Sequence, residues 1–305
     1  MLLPIITRGD PCFTGLIRYN YQGRPLYFKV AFIYNNLLAI YGESFRMRVI
    51  AFANQKGGGG KTTCAVTLAD GLARKKLRVL LIDLDPQGHA ALSLGFQKSA
   101  GLYHFLSLEE PLENLLVHAR PNLDLLPGDK LTEKVKHQIA LMDFRKTILS
   151  DHLTGLDYDA VILDLAPSLD VLHINGLSAS DWVVIPTRLD MLSIDGVKEV
   201  LLTMAELSQS GKCYRGYSIL PTFFERTTKE TLSQFRELVQ TFSGHVWPPI
   251  PQDASVRAAS AQGKTLWETS RNTSALLGFK NGRQFQGGFN QVLERLLEVI
   301  RDEKE

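Results

Sequence analysis

Lys56-Gly57-Gly58-Gly59-Gly60-Lys61-Thr62-Thr63 is the stretch whose residue types can do chemistry. Consecutive glycines let successive backbone N–H groups turn inward and approach phosphate oxygens without side-chain interference. The start of a following helix adds partial positive charge. In such a loop Lys61 reaches the β- and γ-phosphates and the Thr62 hydroxyl coordinates Mg²⁺, so a nucleoside triphosphate with its metal is the expected ligand. The general pattern GxxxxGK[ST] needs glycine at position 55, where Gln55 stands; the variant KGGxGK[ST][ST] is met instead, and it carries a second lysine, Lys56, at the head of the loop.

The elements that must position this loop are legible on both sides. Val49-Ile50-Ala51-Phe52-Ala53 precedes it as an apolar strand, and Ala65, Leu68, Ala69 and Leu72 follow with helical spacing over about 61–76. Arg78-Val79-Leu80-Leu81-Ile82-Asp83 is a run of the kind buried on both faces of a parallel sheet. It delivers Asp83-Leu84-Asp85-Pro86-Gln87-Gly88 at its C-terminal end, where open α/β sheets bind ligands. Tyr158-Asp159-Ala160-Val161-Ile162-Leu163-Asp164 is a second buried strand ending in an acid, followed by Leu165-Ala166-Pro167-Ser168-Leu169 and a helical stretch over 173–177. Further strands are expected at 123–126, 182–186 and 217–220, with helices over 139–153 and 193–207 and a short helical and loop region over 102–116. This alternation implies a doubly wound, mostly parallel sheet flanked by helices.

Composition bounds the rest. At 305 residues and 45% hydrophobic content the chain can bury one sizeable core, and a formal charge of +2 forces no nucleic-acid partner, so DNA binding would need a local patch. Cys12, Cys64 and Cys213 share no metal or redox spacing, which fits a reducing cytoplasm. Cys64, in the first turn of the loop helix, could have a lowered pKa there but reads better as a small core filler. Residues 1–46 are aromatic-rich and without clear period; they read as an extra segment, either an over-extended reading frame upstream of Met47 or a small β appendage, with 47–305 as a single domain. No run reaches the ~18 apolar residues of a membrane-crossing helix.

The glycine loop resembles the deviant Walker A ATPases, and DxDPQG at this distance after KGGxGKTT is the pattern of the ParA family of plasmid- and chromosome-partitioning ATPases. The resemblance runs from Met47 to about residue 300. It implies ATP and Mg²⁺ as cofactors, with Gly57 to Thr63 cradling the phosphates, Lys56, Lys61 and Asp85 as catalytic residues, and Thr62, Asp85 and Asp164 at the metal. Asp83 is expected to hold the loop. Pro221 to Thr228 and the segment from Ile250 to Lys264 resemble the loops bordering the adenine, which places Pro221, Thr222 and Pro251 beside the base. Lys56 would cross a dimer interface to the partner's nucleotide, making a homodimer that sandwiches two ATP molecules and hydrolyses them slowly unless a partner stimulates. Relatives bind DNA non-specifically as ATP dimers and cycle off the nucleoid with a centromere-binding, ParB-like protein. Basic positions offered for DNA are Arg226, Lys229, Arg257 and Lys264, together with Arg271, Lys280 and Arg283, although Ser255 replaces a basic residue that relatives use.

The same residues bear on two other readings. A MinD-like membrane-positioning ATPase would use the last helix, with Phe289, Val292, Leu293, Leu296 and Ile300 on one face, as an anchor. Its Arg301-Asp302-Glu303-Lys304-Glu305 end lacks the basic face such anchors carry, so packing on the sheet and no stable membrane association are expected. A relative of the nitrogenase iron protein would need cysteines placed to share a cluster, and none sits suitably.

Overall fold

The computed structural model describes residues 47–142, 145–190, 193–269, 272–282 and 284–301; the reading of 1–46 and the positions Arg271 and Arg283 lie outside them. The elements in chain order are β1 Arg48–Phe52, α1 Lys61–Arg74, β2 Val79–Asp83, α2 His89–Ser93, α3 Gly101–Ser107, β3 Val117–Arg120, β4 Leu123–Leu126, α4 Thr132–Ala140, α5 Ile148–Leu153 and β5 Ala160–Asp164. They continue with α6 Val171–Ala179, β6 Trp182–Arg188, α7 Ser193–Gln209, β7 Gly216–Thr222, α8 Lys229–Thr241, α9 Ala254–Ala261, α10 Leu266–Thr269, α11 Ser274–Leu277, β8 Phe279–Asn281, β9 Gln284–Gln286 and α12 Gly288–Arg301.

Seven strands form one sheet in the order β3-β4-β2-β5-β1-β6-β7. Every neighbouring pair is parallel except β3 with β4. Chain order reverses direction across β1, so β1, β2 and β5 stand together and open their C-terminal ends on one crevice. The register Phe52↔Asp164 and Asp83↔Asp164 puts the end of the loop strand and both acid-bearing ends side by side.

Strand side chains alternate between two cores, as the two-residue period demands. Ile50, Phe52, Val79 and Leu81 pack under α1, α2 and the helices α9 to α12. Val49, Ala51, Leu80 and Ile82 pack under α3 to α8. The apolar face of α12 is committed to the first core: Phe289, Val292, Leu293, Leu296, Leu297 and Ile300 are all buried, each contributing about 1.5–3 kcal/mol. At Gly71 of α1 a Cβ would lie 3.1 Å from Leu293 and from Trp267, so the two helices approach as closely as a glycine allows. That face is therefore not available to a lipid surface.

One helix expectation needs correction. The amphipathic run expected over 139–153 is not one helix: α4 ends at Ala140 and α5 begins at Ile148. Ile139, Leu149 and Leu153 still face the same core from two separate segments, so the apolar spacing is real but belongs to two short helices. The antiparallel edge strand β3, the helices α8 and α9 and the β8–β9 hairpin were not expected at all.

Candidate nucleotide site

The loop is shaped by its glycines. Gly58 and Gly60 have φ of 76° and 87°, where a Cβ is costly, and at Gly59 a Cβ would sit 3.0 Å from the Pro186 carbonyl of β6. Gly60 serves as N-cap of α1 without any side-chain cap, which leaves the first-turn N–H groups for a ligand. Asn54, buried just ahead of the loop, braces it: Nδ2 donates to Pro186 O at 2.8 Å and Oδ1 accepts from Lys56 N at 2.9 Å. From the other side the Thr222 hydroxyl donates to Gly59 O at 2.9 Å.

The two lysines of the loop have different fates. Lys61 is buried and turned inward, its Nζ 3.4 Å from Lys56 O. Burial lowers its pKa, while Asp164 and Asp85 hold it up. Lys56 turns outward and closes an ion pair with Asp190, its Nζ 2.6 Å from Oδ1 and 2.5 Å from Oδ2.

Three acids face the loop. Asp83 does hold the following turn: Oδ1 accepts from Asp85 N and Oδ2 from Ala90 N, both at 3.0 Å. Asp85, half-buried, is itself set by Gln87 N donating to Oδ1 at 2.9 Å. Asp164 is buried and, the adjacent Thr62 hydroxyl apart, its oxygens meet no donor, an arrangement that costs free energy unless a ligand completes it. Its pKa is pushed up to about 7, first by burial and then by Asp85, against the pull of the nearby Thr62 hydroxyl and the Lys61 ammonium. Asp83 is raised as well, by burial and by Asp164.

An orphaned hard-oxygen donor beside a threonine hydroxyl and a second carboxylate fits Mg²⁺. The described residues contain no group of three His, Cys, Asp or Glu that could hold a metal alone. Mg²⁺ suits such a sparse set, because it keeps several waters and completes its shell with phosphate oxygens. Thr62, with Asp85 and Asp164 through water, would hold it.

The raised pKa of Asp164 has a sign that can be measured. The folded chain keeps a proton on this group at pH values where the unfolded chain, near 3.8, has lost it, so the stability it contributes is present at low pH and fades as pH rises through about 7. Without nucleotide, Asp164→Asn is expected to be more stable than the parent at about pH 8 by roughly 4 kcal/mol, about 8–16 °C in melting temperature. The gap should narrow as pH falls below about 7 and close only near pH 4; an equal or lower melting temperature at the higher pH would contradict the assignment.

Beside the loop lies a cavity of about 500 Å³ lined by Gly60, Thr63, Arg188, Thr222, Phe223 and Pro251, among others. Thr222 and Pro251 line it; Pro221 lies behind it, buried within β7, with its carbonyl accepting from Ile250 N at 2.8 Å. Phe223 holds a left-handed φ of 53° and carries the Arg188 guanidinium over its ring at 5.3 Å. Cys64 is buried behind the loop and burial pushes its thiol pKa up, so it is a core filler.

The basic residues sit in different local settings. Arg257 is exposed on α9 and lines the nucleotide-side cavity. Arg226 lies over the Phe279 ring at 5.3 Å and donates to Lys280 O at 3.4 Å. Lys229 and Lys264 are exposed, at the start of α8 and just past α9.

Asn54, Arg188 and Asp190 are site residues that the sequence reading passed over. Asp190 was findable by the rule that found Asp164, since it stands two residues beyond the C-terminal end of a buried strand.

This combination defines a P-loop nucleotide hydrolase of the kind with a second lysine in its loop. A family model described as an AAA domain matches residues 47–213, over half of the chain. The chain belongs to that family and, within it, to the ParA/Soj-type ATPases. It is 38% identical over 223 residues to the chromosome-partitioning ATPase Soj of Thermus thermophilus, covering 72% of this chain and 88% of that protein. It is 32% identical over 230 residues to the chromosome-partitioning protein ParA of Caulobacter vibrioides, covering 72% and 86%. Among solved structures, cobyrinic acid a,c-diamide synthase of Mycobacterium smegmatis with an ATP analogue and magnesium superposes with a TM-score of 0.64 at 30% identity, covering 75% of this chain and 98% of that one.

Proposed function

We propose that this ATPase partitions DNA. Two ATP-loaded, Mg²⁺-dependent chains pair face to face, the pair binds DNA without sequence preference, and hydrolysis stimulated by a centromere-binding, ParB-like protein releases it. Its expected place is the cytoplasm, on the nucleoid. The observation that carries this reading is the division of labour between the loop lysines. Lys61 is buried inside its own loop, whereas the Lys56 side chain is one-third exposed and turned to Asp190. A cation at the mouth of a phosphoryl-transfer site fits the nucleotide of a second subunit.

Within one chain the roles follow from position. Loop N–H groups and Lys61 bind the phosphates, and closure of a second chain over the crevice excludes water. Asp85, held by Gln87, orients the attacking water toward the γ-phosphorus. Mg²⁺ at Thr62 would neutralise charge on the transferring phosphoryl oxygens. DNA contacts from Arg226, Lys229, Arg257 and Lys264 gain from pairing, because the number of neutralised phosphates doubles and binding steepens with it.

Asp85→Ala tests the sequence of events. The variant should bind ATP, hydrolyse it at least about a hundredfold more slowly, and accumulate as a DNA-bound pair in sedimentation with duplex DNA. A variant that stays single at saturating ATP, or hydrolyses at the parent rate, would show that Asp85 does not time the cycle.

A further inference from the structure

In the single chain Lys56 already has an anionic partner. Its ammonium meets both carboxylate oxygens of Asp190, at 2.6 and 2.5 Å. The backbone on either side is fixed: Lys56 N–H is held by Asn54, Asn54 is held by the Pro186 carbonyl, and Asp190 N donates to Arg188 O at 3.0 Å. The two side chains are 35% and 32% exposed. Rotation of the Lys56 side chain is enough to open the pair, and both charges are within reach of water.

We propose that Asp190 is a latch on Lys56. In the single chain it holds the lysine against its own subunit, and pairing of two ATP-loaded chains requires both latches to open. Asp190 thereby sets the protein concentration at which pairs form, and it is a positioning residue that acts through Lys56. This rests on the two-chain reading above and adds the residue that restrains it. The competing arrangement, in which Asp190 aims Lys56 at the partner, has the opposite sign: there, loss of the charge weakens pairing.

Asp190→Asn removes the charge and keeps the shape and hydrogen-bonding capacity. Sedimentation velocity of the full chain, with AMP-PNP and Mg²⁺ over a dilution series, reads the result. At low salt the variant should pair about fivefold more tightly than the parent, since two partly exposed ion pairs no longer have to open and each is worth a factor of a few. The advantage should shrink at high salt, which already screens an exposed pair. Combined with Lys56→Ala, the substitution should add nothing to Lys56→Ala alone, because the charge acts only through the lysine.

Equal or weaker pairing of Asp190→Asn, with a parent that pairs, overturns the latch and leaves the two-chain reading standing. A parent that does not pair with AMP-PNP at any concentration overturns both. On the unaltered, nucleotide-free chain, acetylation of Lys56 read by mass spectrometry should accelerate with salt relative to the other surface lysines. A rate that follows theirs overturns the latch without any variant.

Discussion

Lys56→Ala is expected to keep ATP binding within about threefold of the parent while stimulated hydrolysis falls by about 10³ or more, the range a cation supplied from a neighbouring subunit commands. Binding should survive because the side chain is turned to Asp190 rather than into its own loop. What the loop uses from this residue is backbone: the N–H that Asn54 accepts and the carbonyl that faces Lys61 Nζ. Alanine keeps both. The glycines that follow retain their left-handed φ values and the Thr222 brace. Titration calorimetry with ATP and Mg²⁺, paired with phosphate-release kinetics in the presence of DNA and the partner protein, separates the two effects. Loss of binding in step with loss of rate would place Lys56 inside its own cradle, and an unchanged rate would remove it from the chemistry.

Lys61→Ala should do the reverse and abolish binding itself, weakening ATP affinity by at least about a hundredfold, equivalent to ~3 kcal/mol for charge-assisted contacts to phosphate. The lysine is buried beside two acids, Asp164 and Asp85, and it is the cation that pulls Asp164 down from an otherwise higher pKa. Without it Asp164 keeps its proton to higher pH, which spares the fold a buried charge. The variant should therefore remain folded by circular dichroism while losing nucleotide. Tight ATP binding by a folded Lys61→Ala protein would count against the phosphate-cradle reading.

Much of the site could be read in the sequence because its parts are local. The loop glycines, Lys61 and Thr62 lie within one strand–loop–helix unit, and Asp83, Asp85 and Asp164 each end or follow an apolar run whose burial on both faces is visible as composition. Parallel register then brings Phe52, Asp83 and Asp164 together without further information. Asp83 was read as a loop holder, and its two backbone hydrogen bonds give that role a geometry.

What was illegible depends on contacts between distant segments. Asn54 bonds to a carbonyl 132 residues away and Lys56 to a carboxylate 134 residues away, and no spacing rule reports such pairs. The break between α4 and α5 was hidden because both helices present apolar residues to one core, so the amphipathic spacing runs on across the gap. β3 was missed for a different reason. As a four-residue antiparallel edge strand with His118 exposed, it carries too little apolar pattern to stand out. The basic residues proposed for DNA were chosen by type alone, and type did not reveal that Arg257 lines the nucleotide-side cavity while Arg226 lies over Phe279.

The central claim is that Lys56 leaves its own subunit when nucleotide is bound. A crystal structure of the full chain with AMP-PNP and Mg²⁺ tests it most directly. The account predicts two chains facing one another, Asp190 released, and each Lys56 ammonium within hydrogen-bond reach of the phosphates held by the other chain's glycine loop. A nucleotide-loaded single chain with Lys56 still closed on its own Asp190 would contradict it.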